Sequence, residues 1–156
     1  AASWHAALNL NAPSAFVLSR QGLDPLAKGE FGEVSNGAYL LSLAKDAKIT
    51  FIASGSEVSL CVKAAALLAE QGVGANIVSA PCFDLLCEQP AEYVARILDK
   101  NTTIIAVEAA TGYEWYKFAD AVYGMNSFGA SGKANELFDH FGFTPQKLAN
   151  FASELI

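Results

Sequence analysis

The chain has 156 residues, of which 53% are hydrophobic and 17% charged, and its formal net charge is −6. This composition is too apolar for a disordered chain and provides enough nonpolar side chains for a core. General nucleic-acid binding needs clustered Lys and Arg, which an acidic chain of this kind lacks. No apolar run is long enough to span a bilayer. We therefore expect a soluble, cytoplasmic protein that binds neither nucleic acid nor membrane.

The amino-terminal region gives short and separate signals. Residues 1–10 have the pattern of the end of a helix, because Trp4 and Leu8 are apolar at helical spacing. Residues 14–19, with the sequence SAFVLS, predict a short strand. A chain that starts inside a helix and without a Met indicates, in our interpretation, a fragment of a longer protein.

The next stretch lacks a sustained hydrophobic period. Residues 21–36 contain three glycines and one proline, a composition typical of a connecting segment. Residues 37–43, with the sequence GAYLLSL, are compatible with a strand or a helical turn. Of the two we favour the strand.

The clearest pattern runs from residue 49 to residue 72. The run ITFIA is rich in β-branched and aromatic residues and suits a strand buried on both faces. Ser54 and Glu57 have the spacing of a capping box, and Gly72 stands where a left-handed helix C-cap is expected. The helix between them has an apolar stripe of Val58, Cys61, Val62, Ala65, Leu68 and Ala69. The segment therefore predicts one strand–turn–helix unit of an α/β sheet.

Strand and helix patterns continue to alternate after this unit, as they do in α/β proteins with a parallel sheet. Buried strands are predicted at 75–80 and 102–107, and helices at 88–100, at 135–141 and from Thr144 onward. Residues 113–123 have a helix-compatible mixture of aromatic and polar side chains, and residues 125–133 form a Gly/Ser loop. Thr144 followed by Pro145 is typical of a helix start.

Cysteine and histidine give no reactive pattern. The three cysteines, Cys61, Cys82 and Cys87, lack zinc-site spacing, and we expect all of them to be reduced and structural. His5 and His140 have no Ser, Cys or Asp at a triad-like spacing, and we interpret both as solvent-facing helix residues. We expect no metal site in this chain.

Two glycine-containing segments fail as nucleotide motifs. The GVG of residues 72–74 follows a helix, and the third glycine of a dinucleotide fingerprint would fall on Ile77. In FGASGK the first glycine of a P-loop would fall on Ser127, and Ala134 replaces the Ser or Thr that binds magnesium. The FGASGK loop could still offer backbone N–H groups at a helix start, but a plain turn is the better interpretation of it.

Three positions could still bind a ligand. The turn at 54–56 could hold an anion at a helix start, although a capping box accounts for the same residues. Glu108 at a strand end could act as an acid or base, or could simply accept hydrogen bonds from a loop. Arg20 could clamp a phosphate or carboxylate with two parallel hydrogen bonds, although composition alone favours a surface ion pair. The residues therefore predict an α/β domain without a complete catalytic set.

Several segments together carry a family resemblance. They are SAFVLSRQGL, ITFIASGSEV, ANIVSAPCFD and SFGASGKANELFDHFGFTPQKL, and they occur in this order along the chain. They resemble the carboxyl-terminal end of transketolases, and the resemblance covers essentially the whole chain. The last segment is the most specific of the four.

The resemblance implies a fold and a domain division. Residues 1–21 would be the end of the family's middle, pyrimidine-binding domain, residues 22–36 a linker and residues 37–156 the carboxyl-terminal domain. That domain would be a three-layer α/β sandwich whose mostly parallel sheet has one antiparallel edge strand. The resemblance also implies a homodimeric enzyme that uses thiamine diphosphate and Mg²⁺ to transfer a two-carbon ketol unit between phosphorylated sugars in the pentose phosphate pathway.

One residue role is implied as well. The arginine of the family's Ser-Arg-Gln motif binds the substrate phosphate, and that motif is Ser19-Arg20-Gln21 here. The family's catalytic glutamate, cofactor-binding histidines and magnesium ligands have no counterpart in this chain, so we expect the chain alone to bind no cofactor and to be inactive. The alternatives are a free-standing α/β module that binds a small anion near Ser54 and Glu108, and the third domain of a related thiamine diphosphate enzyme acting on oxo acids.

Overall fold

The computed structural model describes residues 1–26 and 29–156. Six α-helices and five strands lie in these residues. In chain order they are α1 (Ala2–Leu8), β1 (Tyr39–Ser42), β2 (Ala47–Ala53), α2 (Glu57–Glu70), β3 (Gly74–Ser79), α3 (Phe83–Cys87), α4 (Ala91–Ile97), β4 (Thr103–Glu108), β5 (Ala121–Gly124), α5 (Ala134–Phe141) and α6 (Pro145–Ser153). Short 3₁₀ helices cover Val34–Asn36 and Tyr113–Lys117.

The five strands form one sheet in the order β1-β3-β2-β4-β5. Strand β2 pairs in parallel with both β3 and β4, and β4 pairs in parallel with β5. Strand β1 pairs antiparallel with β3 and forms one edge of the sheet. The predicted mostly parallel sheet with one antiparallel edge strand is confirmed.

Strand β2 is the centre of the sheet and is buried on both faces. Successive side chains of a strand point to opposite faces, so Phe51 packs into one hydrophobic cluster and Ile52 into the other. Both side chains are fully buried. The apolar run at 49–53 therefore forms the two-sided strand that its composition predicts.

Helices cover both faces of the sheet and make the three layers. The first face carries α2 and α6, which contribute Val58, Leu60, Cys61, Ala64, Leu68, Leu148, Ala149 and Ala152 to its core. The second face carries α3, α4 and the Tyr113–Lys117 helix, which contribute Leu86, Ile97 and Trp115. The predicted three-layer sandwich is confirmed.

Helix α2 turns a slightly different face to the core from the predicted one. Val58, Cys61 and Leu68 are buried as expected. Val62 and Ala69 are exposed instead, and their places are taken by Leu60 and Ala64, which face the sheet and α6. Hydrophobicity alone predicts the stripe. Because alanine contributes little to the hydrophobic pattern, the pattern does not determine which face of α2 turns towards the core.

The predicted strand at 14–19 is wrong. This segment has no strand pairing in the described residues, and its side chains are exposed, with Val17 98% exposed. β-Propensity reflects packing on a neighbouring strand, and here no such neighbour is present. Helix α1 does form before it, and the Trp4 ring stacks on Phe16 with centroids 5.1 Å apart.

The predicted connecting segment at 21–36 includes residues 27 and 28, which lie outside the described residues. Its described part contains the Val34–Asn36 helix and an isolated bridge from Phe31 to Leu40. The strand favoured for 37–43 is confirmed as β1.

The helix-compatible pattern at 113–123 is only half correct. A 3₁₀ helix covers Tyr113–Lys117, and the chain then enters edge strand β5. The strand is four residues long and half-buried, so its alternation is too short to detect in sequence. Asp120 fixes the transition, because its Oδ2 accepts a 2.8 Å hydrogen bond from the Ile104 N–H of β4.

The carboxyl-terminal helices follow the predicted signals. Helix α5 ends at Gly142, which is in the left-handed conformation with φ +87°. The Thr144 hydroxyl then accepts a 3.3 Å hydrogen bond from Lys147 N–H and caps α6. Tyr123 of β5 ties this corner to the sheet by donating a 2.6 Å hydrogen bond to Gly142 O.

A directed chain of hydrogen bonds connects β3, β2 and the residues just before β4, near the amino-terminal ends of the parallel strands. Asn76 Nδ2 donates to Thr50 Oγ1 at 3.2 Å, and Thr50 and Thr102 hydroxyls are 2.7 Å apart. Thr102 Oγ1 donates to Asp99 O at 2.7 Å, so the proton between the two hydroxyls belongs to Thr50. Asn76 Oδ1 in turn accepts from Ala44 N–H at 3.0 Å.

None of the helices in the described part of the chain is both long and apolar enough to cross a membrane.

We expect Thr50→Val to lower the free energy of unfolding by about 1–3 kcal/mol, because the buried Asn76 donor loses its acceptor. Thr103→Val is the matched control, since the half-buried Thr103 hydroxyl makes no hydrogen bond to the described protein. We expect the control to stay within about 0.5 kcal/mol of the parent. Urea unfolding with unchanged m-values measures both. Equal losses in the two variants would contradict the hydrogen-bond chain.

We expect Gly37→Ala to be far more destabilising than Gly72→Ala. Both glycines have positive φ, +83° and +79°, so each substitution costs about 1–2 kcal/mol in backbone strain. An added Cβ at Gly37 would overlap Leu86 N and lie 2.5 Å from Cys82 O, whereas nothing lies within 4 Å at Gly72. Overpacking adds about 1–3 kcal/mol at Gly37.

Thermal unfolding distinguishes these two glycine variants, because each kcal/mol shifts the midpoint by about 2–4 °C at this size. Coincident unfolding midpoints would show that the Gly37 backbone can move away from α3.

Candidate functional site

The carboxyl-terminal ends of β2 and β4 form a topological switch point. The two strands are parallel neighbours, but the chain leaves β2 towards α2 on one face and leaves β4 towards Trp115 on the other. Ligands of open α/β sheets bind in the crevice at such a point. We therefore treat the residues that follow these two strands as the first candidate site.

Ser54 and Glu108 meet at this crevice. Ser54 Oγ, just after β2, donates a 3.3 Å hydrogen bond to Glu108 Oε2 at the end of β4. The predicted capping box is therefore wrong, because α2 begins at Glu57 with Ser56 at its N-cap and with no side-chain cap. The expectation that Glu108 accepts a hydrogen bond from a neighbouring loop is confirmed.

Glu57 is a second carboxyl at the same edge and is buried, with 6% of its surface exposed. Burial raises the pKa of Glu57, and the charge of Glu108 adds a smaller rise. The Ser56 hydroxyl acts in the opposite direction by donating a 2.9 Å hydrogen bond to Glu57 Oε1. The sequence pattern does not indicate a catalytic role for Glu57. Its burial becomes evident only in the folded structure.

Burial also raises the pKa of Glu108, against smaller lowering effects of the Ser54 hydroxyl and the Trp115 indole N–H. Trp115 Nε1 is buried beside this carboxyl but meets no acceptor at good hydrogen-bond geometry. Gly112 packs closely here, because an added Cβ would lie 2.7 Å from Val122 Cγ1 and 3.2 Å from Trp115 Cδ1.

These two carboxyls argue against an anion at the Ser54-Gly55-Ser56 turn. An anionic ligand there would face Glu57 and Glu108, and like charges at short range repel strongly in a partly buried site. The hydroxyls that could have bound it are occupied by the carboxylates. The geometry therefore disfavours a small-anion module at this edge.

Arg20 lies in an exposed position that follows the unpaired segment 14–19. Within residues 1–26 and 29–156 its guanidinium forms neither an ion pair nor a hydrogen bond with the protein. The surface ion pair that composition favoured is thus not formed in the described structure. Its two neighbours in sequence lie against the protein. Ser19 lies beside Gly55, and Gln21 is half-buried.

The sequence did not indicate an apolar cavity of about 430 Å³ beneath the Gly/Ser loop. Its lining includes Met125, Phe128, Leu137, Phe138, Phe141 and Phe143. Phe128 at the loop is 99% exposed. Lys133, the lysine of the failed P-loop match, forms an exposed 3.4 Å ion pair with Glu136 at the start of α5.

The described residues contain no cluster of three His, Cys, Asp or Glu side chains that could hold a metal ion. The three cysteines are free thiols, and burial raises the pKa of Cys61. His5 and His140 are exposed on α1 and α5, as predicted.

Comparison with known proteins gives one consistent family. Residues 37–144 match the model of the transketolase-like TK C-terminal domain. Transketolase 1 of Saccharomyces cerevisiae is 42% identical over 144 residues, which are 92% of this chain and 21% of the yeast protein.

Solved structures agree. The crystal structure of transketolase from Campylobacter jejuni superposes with a TM-score of 0.91 at 52% identity, covering 96% of this chain and 23% of that one. Transketolase of Pichia stipitis in complex with sedoheptulose-7-phosphate gives 0.76 at 38% identity, covering 81% and 19%. The chain thus spans about one fifth of the length of these relatives. Matched over most of its length to their carboxyl-terminal domain, the chain belongs to the transketolase family.

Proposed function

We propose that this chain is the carboxyl-terminal region of an enzyme that transfers a two-carbon ketol unit between phosphorylated sugars in the pentose phosphate pathway. Family membership supports the reaction class, and the Pichia stipitis relative crystallised with sedoheptulose-7-phosphate supports phosphorylated sugars as substrates. Thiamine diphosphate with Mg²⁺ would supply the carbanion chemistry in the complete enzyme. The chain itself would contribute structure and one substrate contact.

The proposed domain division has residues 1–21 as the end of the pyrimidine-binding domain, 22–36 as the linker and 37–156 as the carboxyl-terminal domain. The family match that begins at residue 37 supports the last boundary. The exposed residues 8–20 support the assignment of the first segment to another domain, because apolar side chains such as Val17 and Leu18 are largely in solvent here.

The cofactors would be held by the other domains of the enzyme. The described residues offer no metal-ligand cluster, and the buried Glu57 and half-buried Glu108 at the switch point repel a diphosphate. We therefore assign no catalytic and no cofactor-binding residue to this chain.

Arg20 is the proposed ligand of the substrate phosphate. The observation that carries this role is an exposed guanidinium without a partner in the described protein, inside the Ser19-Arg20-Gln21 motif. An unpaired guanidinium offers its planar fork of donors to a phosphate, with two parallel charge-assisted hydrogen bonds. No competing carboxylate has to be displaced first.

A homodimer in the cytoplasm completes the proposal. Exposed apolar side chains on two separate surfaces, among them Trp4, Leu18 and Phe128, support contacts with further protein. Large exposed apolar side chains that cluster on a surface are typical of interaction sites.

We expect the chain alone to show no turnover in a steady-state assay with a ketose phosphate donor, an aldose phosphate acceptor, thiamine diphosphate and Mg²⁺. The physical reason is that one arginine binds a phosphate but provides neither the cofactor nor a base. A preparation of the complete enzyme in the same assay is the positive control. Turnover by the chain alone would overturn the domain assignment.

In the complete enzyme we expect Arg20→Ala to raise KM for phosphorylated acceptors about tenfold or more, since each lost charge-assisted hydrogen bond costs about 1.5–3 kcal/mol. KM for an unphosphorylated aldose should stay unchanged. Arg20→Lys keeps the charge but loses the fork, and we expect an intermediate KM.

Arg96→Ala is the control for this series, because Arg96 is an arginine of the same chain that packs over the Phe31 ring at 3.7 Å. It should leave the preference for phosphorylated acceptors intact. An unchanged KM in Arg20→Ala would remove Arg20 from the phosphate site.

A further inference from the structure

The stretch that carries Arg20 changes from exposed to half-buried directly after the arginine. Residues 8–20 are exposed without interruption, and Gln21 is the first half-buried residue after them. Two positions on either side of Arg20 lie against the domain, Ser19 beside Gly55 and Gln21 at a cavity.

The contact on the first side is with the turn between β2 and α2. Gly55 of this turn has φ +51°, and a Cβ built on it would lie 3.8 Å from Ser19 Oγ and 3.9 Å from Glu57 Oε2. These are ordinary contact distances, so a Cβ alone would fit, and the branched end of a leucine built in this direction would crowd Ser19 Oγ. Ser19 therefore lies directly beside the turn.

On the other side of Arg20, Gln21 lines a cavity of about 240 Å³ at the start of α2 and α5. The other residues that line this cavity include Ser56 and Lys63, at and within α2, and Asn135 of α5. Ser19 and Gln21 thus touch neighbouring parts of one surface, and the Arg20 backbone between them spans the gap while its side chain stays in solvent.

We propose that the Ser54–Glu57 turn and this cavity position Arg20, so that the carboxyl-terminal domain orients the phosphate ligand that precedes it in sequence. Gly55 and Gln21 are positioning residues in this sense. The inference deepens the proposed function and rests on its assignment of the phosphate to Arg20.

The advantage of such positioning is entropic. Ordering a backbone residue costs conformational entropy, which binding must otherwise supply. An arginine whose backbone is already held binds its ligand without that cost. The domain then acts on substrate binding although it contributes no side chain to the chemistry.

The first test measures the backbone of Arg20 directly in this chain. In Gly55→Leu we expect the amide order parameter of Arg20 to fall from about 0.85, the value of a rigid backbone, to below about 0.6. Gly72→Leu is the matched control, because Gly72 lies beyond the other end of α2 with φ +79° and has nothing within 4 Å. Both variants place a side chain at a positive φ, and the control should leave Arg20 rigid.

Gln21→Ala gives a second variant that leaves the strained turn untouched, so a folding defect of Gly55→Leu does not end the test. It should also lower the Arg20 order parameter. An order parameter that is already low in the parent chain, or one that neither Gly55→Leu nor Gln21→Ala changes, would overturn the positioning role.

Kinetics of the complete enzyme separate this inference from the proposed function. Gly55→Leu should raise KM for a phosphorylated acceptor about fivefold to tenfold, with kcat and the KM for an unphosphorylated acceptor unchanged. If Arg20→Ala alters phosphate preference and Gly55→Leu does not, the positioning role fails and the phosphate role stands. If Arg20→Ala alters nothing, the phosphate role itself fails.

Discussion

The central position of β2 is the constraint on which the rest of the structure depends. This strand is hydrogen-bonded on both sides by parallel neighbours and buried on both faces. A helix layer is required on each face to keep water away from it. Its only buried hydroxyl, Thr50, is satisfied by partners that come from the loops and strands on either side. One strand thus fixes the order of the sheet, the two cores and the polar contacts at the sheet's amino-terminal edge.

The same strand places the candidate site at its other end. Its carboxyl end carries Ser54, which reaches Glu108 of the neighbouring strand, and the turn that follows carries the Gly55 that adjoins Ser19. The edge therefore has two distinct electrostatic parts. The buried Glu57 and the half-buried Glu108 lie at the crevice itself, and Arg20, whose guanidinium has no partner among the described residues, follows Ser19 beside the same turn. The carboxyls oppose an anion at the crevice, whereas the Arg20 guanidinium has the opposite charge, and sequence spacing could not separate these two parts.

The sequence was sufficient where one element carries its own signal. The buried strands, helix α2, the Gly142 end of α5 and the Thr144 cap of α6 all depend on local chemistry and were predicted. It was insufficient where tertiary contact decides. Residues 14–19 have strand-like composition but no neighbouring strand, and β5 is too short for its alternation to show. Ser54 had two acceptable partners, a helix N–H and a carboxylate 54 residues away, and only the sheet register shows which one it binds. The proximity of Ser19 to Gly55 has no sequence signal at all.

The unequal environments of the two tryptophans have an optical consequence. Trp115 is 3% exposed in the second core, whereas Trp4 is 61% exposed on α1, stacked on Phe16. Indole emission moves to longer wavelength when the ring enters water. The intrinsic fluorescence of this protein therefore has two separate components. The Trp115 emission depends on whether the sandwich is folded, and the Trp4 emission depends on whether the amino-terminal segment is covered. Replacing either Trp by Phe would isolate the emission of the other. Docking of the segment and unfolding of the domain can then be distinguished by the emission wavelength.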